Sequence, residues 1–121
     1  MSVFANDEDN AALERIVAAS EWKIWQAKDC REARTILHRT KITVVLCDQY
    51  LSDGSWRLLR SEVAQLAAAP LLIVVSAVAD EALWAEVLNL GAYDLLAKPF
   101  RADEVLRTIS SAPRLTLAAP A

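Results

Sequence analysis

Glycine is scarce in this chain: there are two among 121 residues, Gly54 and Gly91. A loop that cradles phosphates through its backbone needs several glycines close together, so no such loop can be built here. Cysteine is equally sparse. Cys30 and Cys47 stand in neither a metal-binding nor a redox spacing. Cys47, inside an apolar run, reads as a small buried hydrophobe. So few cysteines fit a reducing cytoplasm as the simplest compartment. No apolar run approaches the roughly 20 residues needed to cross a bilayer. Met1 is followed at once by "SVFANDEDN", which is no secretion signal. Positive charge is not in excess either. The net charge is −3, so there is no nucleic-acid footprint. The basic residues that do cluster, Arg31, Arg34, His38, Arg39 and Lys41, read as the solvated face of one helix. Internal repeats and interior linkers are also lacking. The Pro- and Ala-rich ending "SAPRLTLAAPA" reads as a frayed terminus or linker stub. One domain over 1–112 with a tail at 113–121 is the expected organisation.

What is present is hydrophobic sequence, 55% of the chain, in an alternating pattern. "VFA" is a short first strand. Leu13, Ile16 and Val17 follow at helical spacing. "EWKIWQA" reads as a second strand, with Trp22 and Ile24 on one face and Trp25 on the other. Asp29 and Glu32 resemble an N-cap with its capping partner, opening a helix that buries Ala33, Ile36 and Leu37. "ITVVLC" and "LLIVV" are continuous and β-branched, as in strands covered on both faces. Between them Ser55 caps a helix carrying Leu58, Leu59, Val63 and Leu66, stopped by Pro70. Asp80 caps a fourth helix with Leu83, Val87 and Leu88, closed by Gly91. "YDLLA" is the last strand. "RADEVLRTI" is the last helix, with Val105, Leu106 and Ile109 inward, ending before Pro113.

Five strands alternating with five helices predict an α/β fold: a doubly wound, five-stranded parallel sheet with helices on both faces, flavodoxin-like. Ligands of such sheets bind beyond the carboxyl ends of the strands. The residues there are an acidic run "NDEDN" after the first strand, Asp48 after the third, Ser76 after the fourth and Lys98 after the fifth. Each alone has a plain reading as turn, cap, loop hydroxyl or surface lysine. Together they make a crevice suited to phosphoryl chemistry. Asp48 can attack a phosphoryl group to give an acyl phosphate. Two anions must then meet, which calls for a divalent cation. Magnesium takes one or two carboxylates plus phosphoryl oxygens and water. Lys98 supplies fixed positive charge and Ser76 a hydroxyl donor. A cis bond at Lys98-Pro99 would aim the lysine inward. Asp53-Gly54 reads as turn chemistry.

With "NDEDN", "VVLCDQYLSDG", "LLIVVSA" and "LNLGAYDLLAKPF" in place, the chain resembles the receiver domains of two-component response regulators, the CheY-like family, from about Val3 to Ser110. The resemblance implies Asp48 as phospho-acceptor, Ser76 as switch hydroxyl and Lys98 as the family's lysine. It implies Mg2+ held by an acidic pair, by Asp48 and by the backbone carbonyl of Tyr50. Counting back from Leu13 makes the pair Glu8 and Asp9; counting forward from "VFA" gives Asn6 and Asp7 instead. Glu8 and Asp9 are preferred, because helix register slips less easily than the end of a short strand.

The implied function is that of a single-domain regulator. A histidine kinase phosphorylates it, and it signals through an unidentified downstream protein partner. Self-phosphotransfer and autodephosphorylation would be its only catalysis. No direct binding to nucleic acid or membrane is implied. The face made by the fourth helix, last strand and last helix is the expected partner surface and a candidate homodimer contact. Trp84 on that helix is left open between exposed contact and core. No effector domain follows Pro113, so output comes from binding, or else the chain is an excised domain.

Three departures support an alternative, a receiver-like interaction module that is not phosphorylated. Ser52 stands where the family usually has proline, in a short loop. Leu95 holds the usual aromatic switch position, with Tyr93 expected on the same face two residues earlier. The acidic cluster is irregular. A third reading, a nucleotide- or FMN-binding domain of the same fold, lacks a phosphate loop.

Overall fold

Two strands buried on both faces organise the molecule. The computed structural model describes residues 1–118, with side chains as far as Ser111. Its strands are β1 (Ser2–Val3), β2 (Gln26–Ala27), β3 (Val44–Asp48), β4 (Leu71–Ser76) and β5 (Asp94–Ala97). Between and after them run α1 (Asp7–Ala18), α2 (Cys30–Arg39), α3 (Trp56–Ala64), α4 (Glu81–Asn89) and α5 (Ala102–Ala118). All five strands pair in parallel in the order β2-β1-β3-β4-β5. This is the flavodoxin-like winding expected from the alternation, with its switch point between β1 and β3. A hairpin outside the sheet pairs Tyr50–Leu51 with Gly54–Ser55.

Successive side chains of a strand face opposite sides, so β3 and β4 each feed two cores. Val45, Cys47, Leu72 and Val74 pack under α2, α3 and α4, with Leu59, Val63, Leu83 and Val87. Val44, Leu46, Ile73 and Val75 pack under α1 and α5, with Leu13, Val17, Val105 and Ile109. Cys47 is fully buried, as an apolar residue would be. The basic cluster on and after α2 is exposed at Arg31, Arg34, His38, Arg39 and Lys41.

Capping follows the sequence signals. Asp29 Oδ1 accepts the Glu32 N–H at 2.8 Å, and Asp80 Oδ1 accepts the Leu83 N–H at 2.8 Å. The Glu32 carboxylate reaches back to the Lys28 N–H, one residue before the position a capping box would use. Gly91 lies just past the end of α4 at φ +94°, a left-handed conformation that a side chain would strain.

Several boundaries differ from expectation. The second strand is two residues, not seven. The "WKIW" segment before it is irregular, although Trp22 and Ile24 still pack against the α1–α5 core. The Trp25 carbonyl accepts the Ser2 N–H at 2.8 Å, so one backbone bond survives where a longer ladder was expected. The first strand is Ser2–Val3, with Phe4 N–H still bonded to the Ala27 carbonyl at 3.1 Å. The third begins two residues later than read and includes Asp48. α3 ends at Ala64, before Pro70, and Leu58 is 40% exposed while Trp56 is buried in its place. α5 continues past Pro113 to Ala118. A proline deletes one helical donor, but the flanking Ala112, Arg114 and Leu115 are good helix formers. The expected tail is therefore helical in its first part, and residues 119–121 lie outside the described residues.

Candidate functional site

Asp48 is the last residue of β3, and alternation puts it on the side of Val44 and Leu46, beneath α1 and α5. Lys98 follows β5 after Ala97, held by its N–H to the Ser76 carbonyl at 3.0 Å. The Lys98-Pro99 bond is cis. The Lys98 Nζ donates to Asp48 Oδ2 and to Asp9 Oδ2, each at 2.9 Å. Both carboxylates share one ammonium, so those oxygens lie at most twice that distance apart. All three side chains are about one-fifth exposed. The ammonium also lies over the Phe4 ring at 5.4 Å, and Phe4 stacks edge-on with Phe100.

Burial alone pulls the Lys98 pKa down. The hydrogen bonds to Asp9 and Asp48, with their charges, outweigh it and hold the pKa above the ordinary lysine value. The lysine is therefore a permanent cation at neutral pH.

Asp9 reaches this place because α1 starts early. Asn6 is the N-cap, and its side-chain oxygen accepts the Glu8 N–H at 2.8 Å. Asp7, Glu8 and Asp9 then form the first turn, where negative charge suits the helix dipole. Of the acidic run, Asp9 faces Lys98. Glu8 is exposed, and lines the open groove between α1 and α5 with Asp9 and Lys98. Asp7 pairs with Lys28 at 3.5 Å in solvent. Asn10, one residue on, is buried and anchors the turn. Its amide nitrogen donates to the Phe4 carbonyl at 2.9 Å, and its oxygen accepts from Ser2 Oγ at 2.8 Å.

Ser76 sits at the end of the neighbouring strand but on the other side of it, in step with Leu72 and Val74. Its hydroxyl donates to Gln49 Oε1 at 2.8 Å and accepts the Val78 N–H at 3.0 Å. The structure thus brings Asp9, Asp48 and Lys98 together and leaves the Ser76 hydroxyl bonded elsewhere.

Tyr50 opens the hairpin. The Trp56 N–H bonds to the Gln49 carbonyl at 3.2 Å, so the next pair, Tyr50 with Ser55, falls between ladder bonds. This register leaves the Tyr50 carbonyl outside the hairpin's own hydrogen bonding. Asp53 has a larger role than a turn former. Its two oxygens accept the Cys30 and Arg31 N–H groups at 2.9 and 3.1 Å, tying the loop to the start of α2. Those bonds, the Cys30 amide first, hold its pKa below the ordinary aspartate value. Burial, then the Asp53 charge, pushes the Cys30 thiol up to about 12, and burial likewise raises Cys47 well above the ordinary thiol value. Neither is a thiolate at neutral pH.

Tyr93 corrects an expectation. It packs in the α1–α5 core with its hydroxyl 2.9 Å from Ser111 Oγ, whereas Leu95 packs in the opposite core. The two do not share a face. Trp84 is half exposed on α4 and lines, with Leu95, Ala97 and Glu104, a shallow cavity of about 280 Å³.

The donors fit magnesium. Among the described residues no group of three or more His, Cys, Asp or Glu could hold a metal. A cation here would have two carboxylates, Asp9 and Asp48, and would take its other oxygens from a backbone carbonyl, water or a phosphoryl group. Magnesium binds in that way.

Sequence reasoning missed Asn10, Gln49 and Phe4. Asn10 stands three before Leu13 on the apolar stripe of α1, a position that signals a buried polar group. Gln49 and Phe4 carry no comparable signal.

Comparison with known proteins identifies the family and the fold. The response regulator receiver domain family model matches residues 6–110. The sensory transduction protein LytR of Streptococcus agalactiae is 32% identical over 114 residues, covering 94% of this chain and 46% of that protein. The chain thus spans about half the length of that relative. The signal receiver domain of a LuxO repressor protein from Vibrio parahaemolyticus superposes with a TM-score of 0.90 at 19% identity, covering 98% of this chain and 92% of that one. A Burkholderia pseudomallei response regulator with a phosphorylated aspartic acid, a calcium ion and citrate gives 0.79 at 20% identity, covering 98% and 70%. Among the described residues no helix is long and apolar enough to cross a membrane.

Proposed function

The chain belongs to the response regulator receiver domain family of two-component signalling, and from that premise we propose that it accepts a phosphoryl group on Asp48. The observation that carries this reading is the shared ammonium: Lys98 Nζ lies 2.9 Å from both Asp48 and Asp9. One lysine against two carboxylates leaves the cluster net negative, which repels a phosphoryl donor. A bound Mg2+ would make it net positive and neutralise charge on the transferring group. Asp9, Asp48 and the Tyr50 carbonyl would hold it, with Glu8 at the rim.

The residues then divide the work. A carboxylate oxygen of Asp48 attacks phosphorus as the P–N bond to the donor histidine of a kinase breaks. An acyl phosphate forms, and the imidazole departs with a proton from water. Lys98 offers its ammonium to a phosphoryl oxygen. Ser76 binds a second oxygen after its hydroxyl turns from Gln49. That turn biases the α4–β5–α5 face, where Trp84 and Leu95 lie, toward a downstream partner or a second copy. The chain is a signalling domain whose chemistry is confined to self-phosphotransfer and dephosphorylation, in the cytoplasm.

A second reading, partner binding without phosphorylation, draws on the Ser76–Gln49 bond and on the displacement of Tyr93 to the opposite core. One experiment separates the two. Acetyl phosphate with magnesium should add one phosphoryl mass to the intact protein, and chelation should prevent it. Partner binding indifferent to magnesium, with no added mass, would establish the second reading instead.

A further inference from the structure

Ser76 has its donor and its acceptor roles both committed. Ser76 is 3% exposed, and its hydroxyl accepts the Val78 N–H and gives its only proton to Gln49 Oε1 at 2.8 Å. Gln49 is itself fixed by backbone on two sides. Its N–H bonds to the Val75 carbonyl at 2.9 Å, and its carbonyl accepts the Trp56 N–H at 3.2 Å. Its side-chain nitrogen lies 3.5 Å from Tyr50 Oη. One residue thus links the strand that carries Asp48, the hairpin that follows it and the hydroxyl at the end of β4.

We infer that Gln49 is a positioning residue that latches the Ser76 hydroxyl away from Asp48 until a phosphoryl group competes for it. The inference rests on the function proposed above and names a regulator within that site. A hydroxyl has a single proton to donate, so Ser76 cannot serve a phosphoryl oxygen while Gln49 holds it. Gln49 therefore sets how readily the site passes from its resting to its phosphorylated arrangement. Removing the acceptor destabilises the resting arrangement alone, which shifts the population toward the other.

The test uses the intact chain with magnesium and beryllofluoride, a mimic of the aspartyl phosphoryl group, titrated by calorimetry. Gln49→Met keeps length and removes the acceptor; Gln49→Ala guards against a packing artefact of the first. Either should bind the mimic about three- to tenfold more tightly than the unaltered chain, the range of one neutral hydrogen bond. In a Ser76→Ala background the same change should give no gain, because there is nothing left to latch. Unchanged or weaker binding in both folded variants, or an equal gain without the Ser76 hydroxyl, would overturn the latch while leaving Asp48 as acceptor. An unaltered chain that neither binds the mimic nor takes a phosphoryl group would overturn the latch and the proposed function together.

Discussion

The carboxyl ends of β3 and β4 lie side by side, with Asp48 in register with Val75, yet they are finished differently. At the end of β3 a carboxylate points to the α1–α5 side and already meets Lys98, which also holds Asp9. At the end of β4 a hydroxyl points to the α2–α4 side and is bonded to Gln49. Strand alternation alone decides the two directions. On the proposed function, half of the site is assembled by the fold, and the other half would need a side-chain movement to join it. Preorganised charge is what phosphoryl transfer requires, whereas a hydroxyl that arrives later is what a switch requires.

Substitutions on the two sides should therefore behave unequally. The largest effect falls on Lys98→Met, which removes the ammonium that the two carboxylates share. Phosphoryl uptake followed by mass over time should slow about 100-fold. Ser76→Ala, at the parked end, should slow uptake less than about tenfold and act mainly on partner binding. Equal losses from the two would erase the distinction between the strand ends. Next comes Asn10, the buried support of the acidic turn. Asn10→Ala leaves the Ser2 hydroxyl and the Phe4 carbonyl without partners and should cost about 2 kcal/mol in urea unfolding. Smallest is Asp53→Asn, which weakens the loop's tie to α2 by about 0.5 kcal/mol in an exposed setting. Its pH dependence has a definite sign. The folded pKa of Asp53 lies below the unfolded value, so the tie is fully present above about pH 4 and lost as pH falls through the folded pKa. Unaltered and Asp53→Asn proteins should differ in stability at neutral pH and converge in acid.

Fold and site were legible to different depths. The two β-branched runs, 42–47 and 71–75, announced central strands, because strands covered on both faces must be apolar throughout. The caps at Asp29, Ser55 and Asp80 marked three helix starts. The second strand does lie at the sheet edge, but its extent was misread: "EWKIWQA" has strand composition, yet Trp22 and Ile24 reach the core from irregular chain, and composition does not report backbone pairing. Counting helix register back from Leu13 singled out Asp9, which the structure sets against Lys98, since helix register slips less easily than the end of a short strand. Asp53 and Gln49 escaped because their partners lie far along the chain. Asp53 reaches the amides of residues 30 and 31, and Gln49 the hydroxyl of residue 76. Tyr93 was misplaced because it precedes β5, where strand alternation does not yet apply.

On the proposed function Asp48, and no other carboxylate, is the acceptor. Treating the chain with acetyl phosphate and magnesium, reducing with borohydride and mapping the peptides tests it directly, since reduction of an aspartyl phosphate leaves homoserine. The account predicts homoserine at position 48 alone and none in Asp48→Asn. Homoserine at another aspartate, or none anywhere at any magnesium concentration, would contradict it.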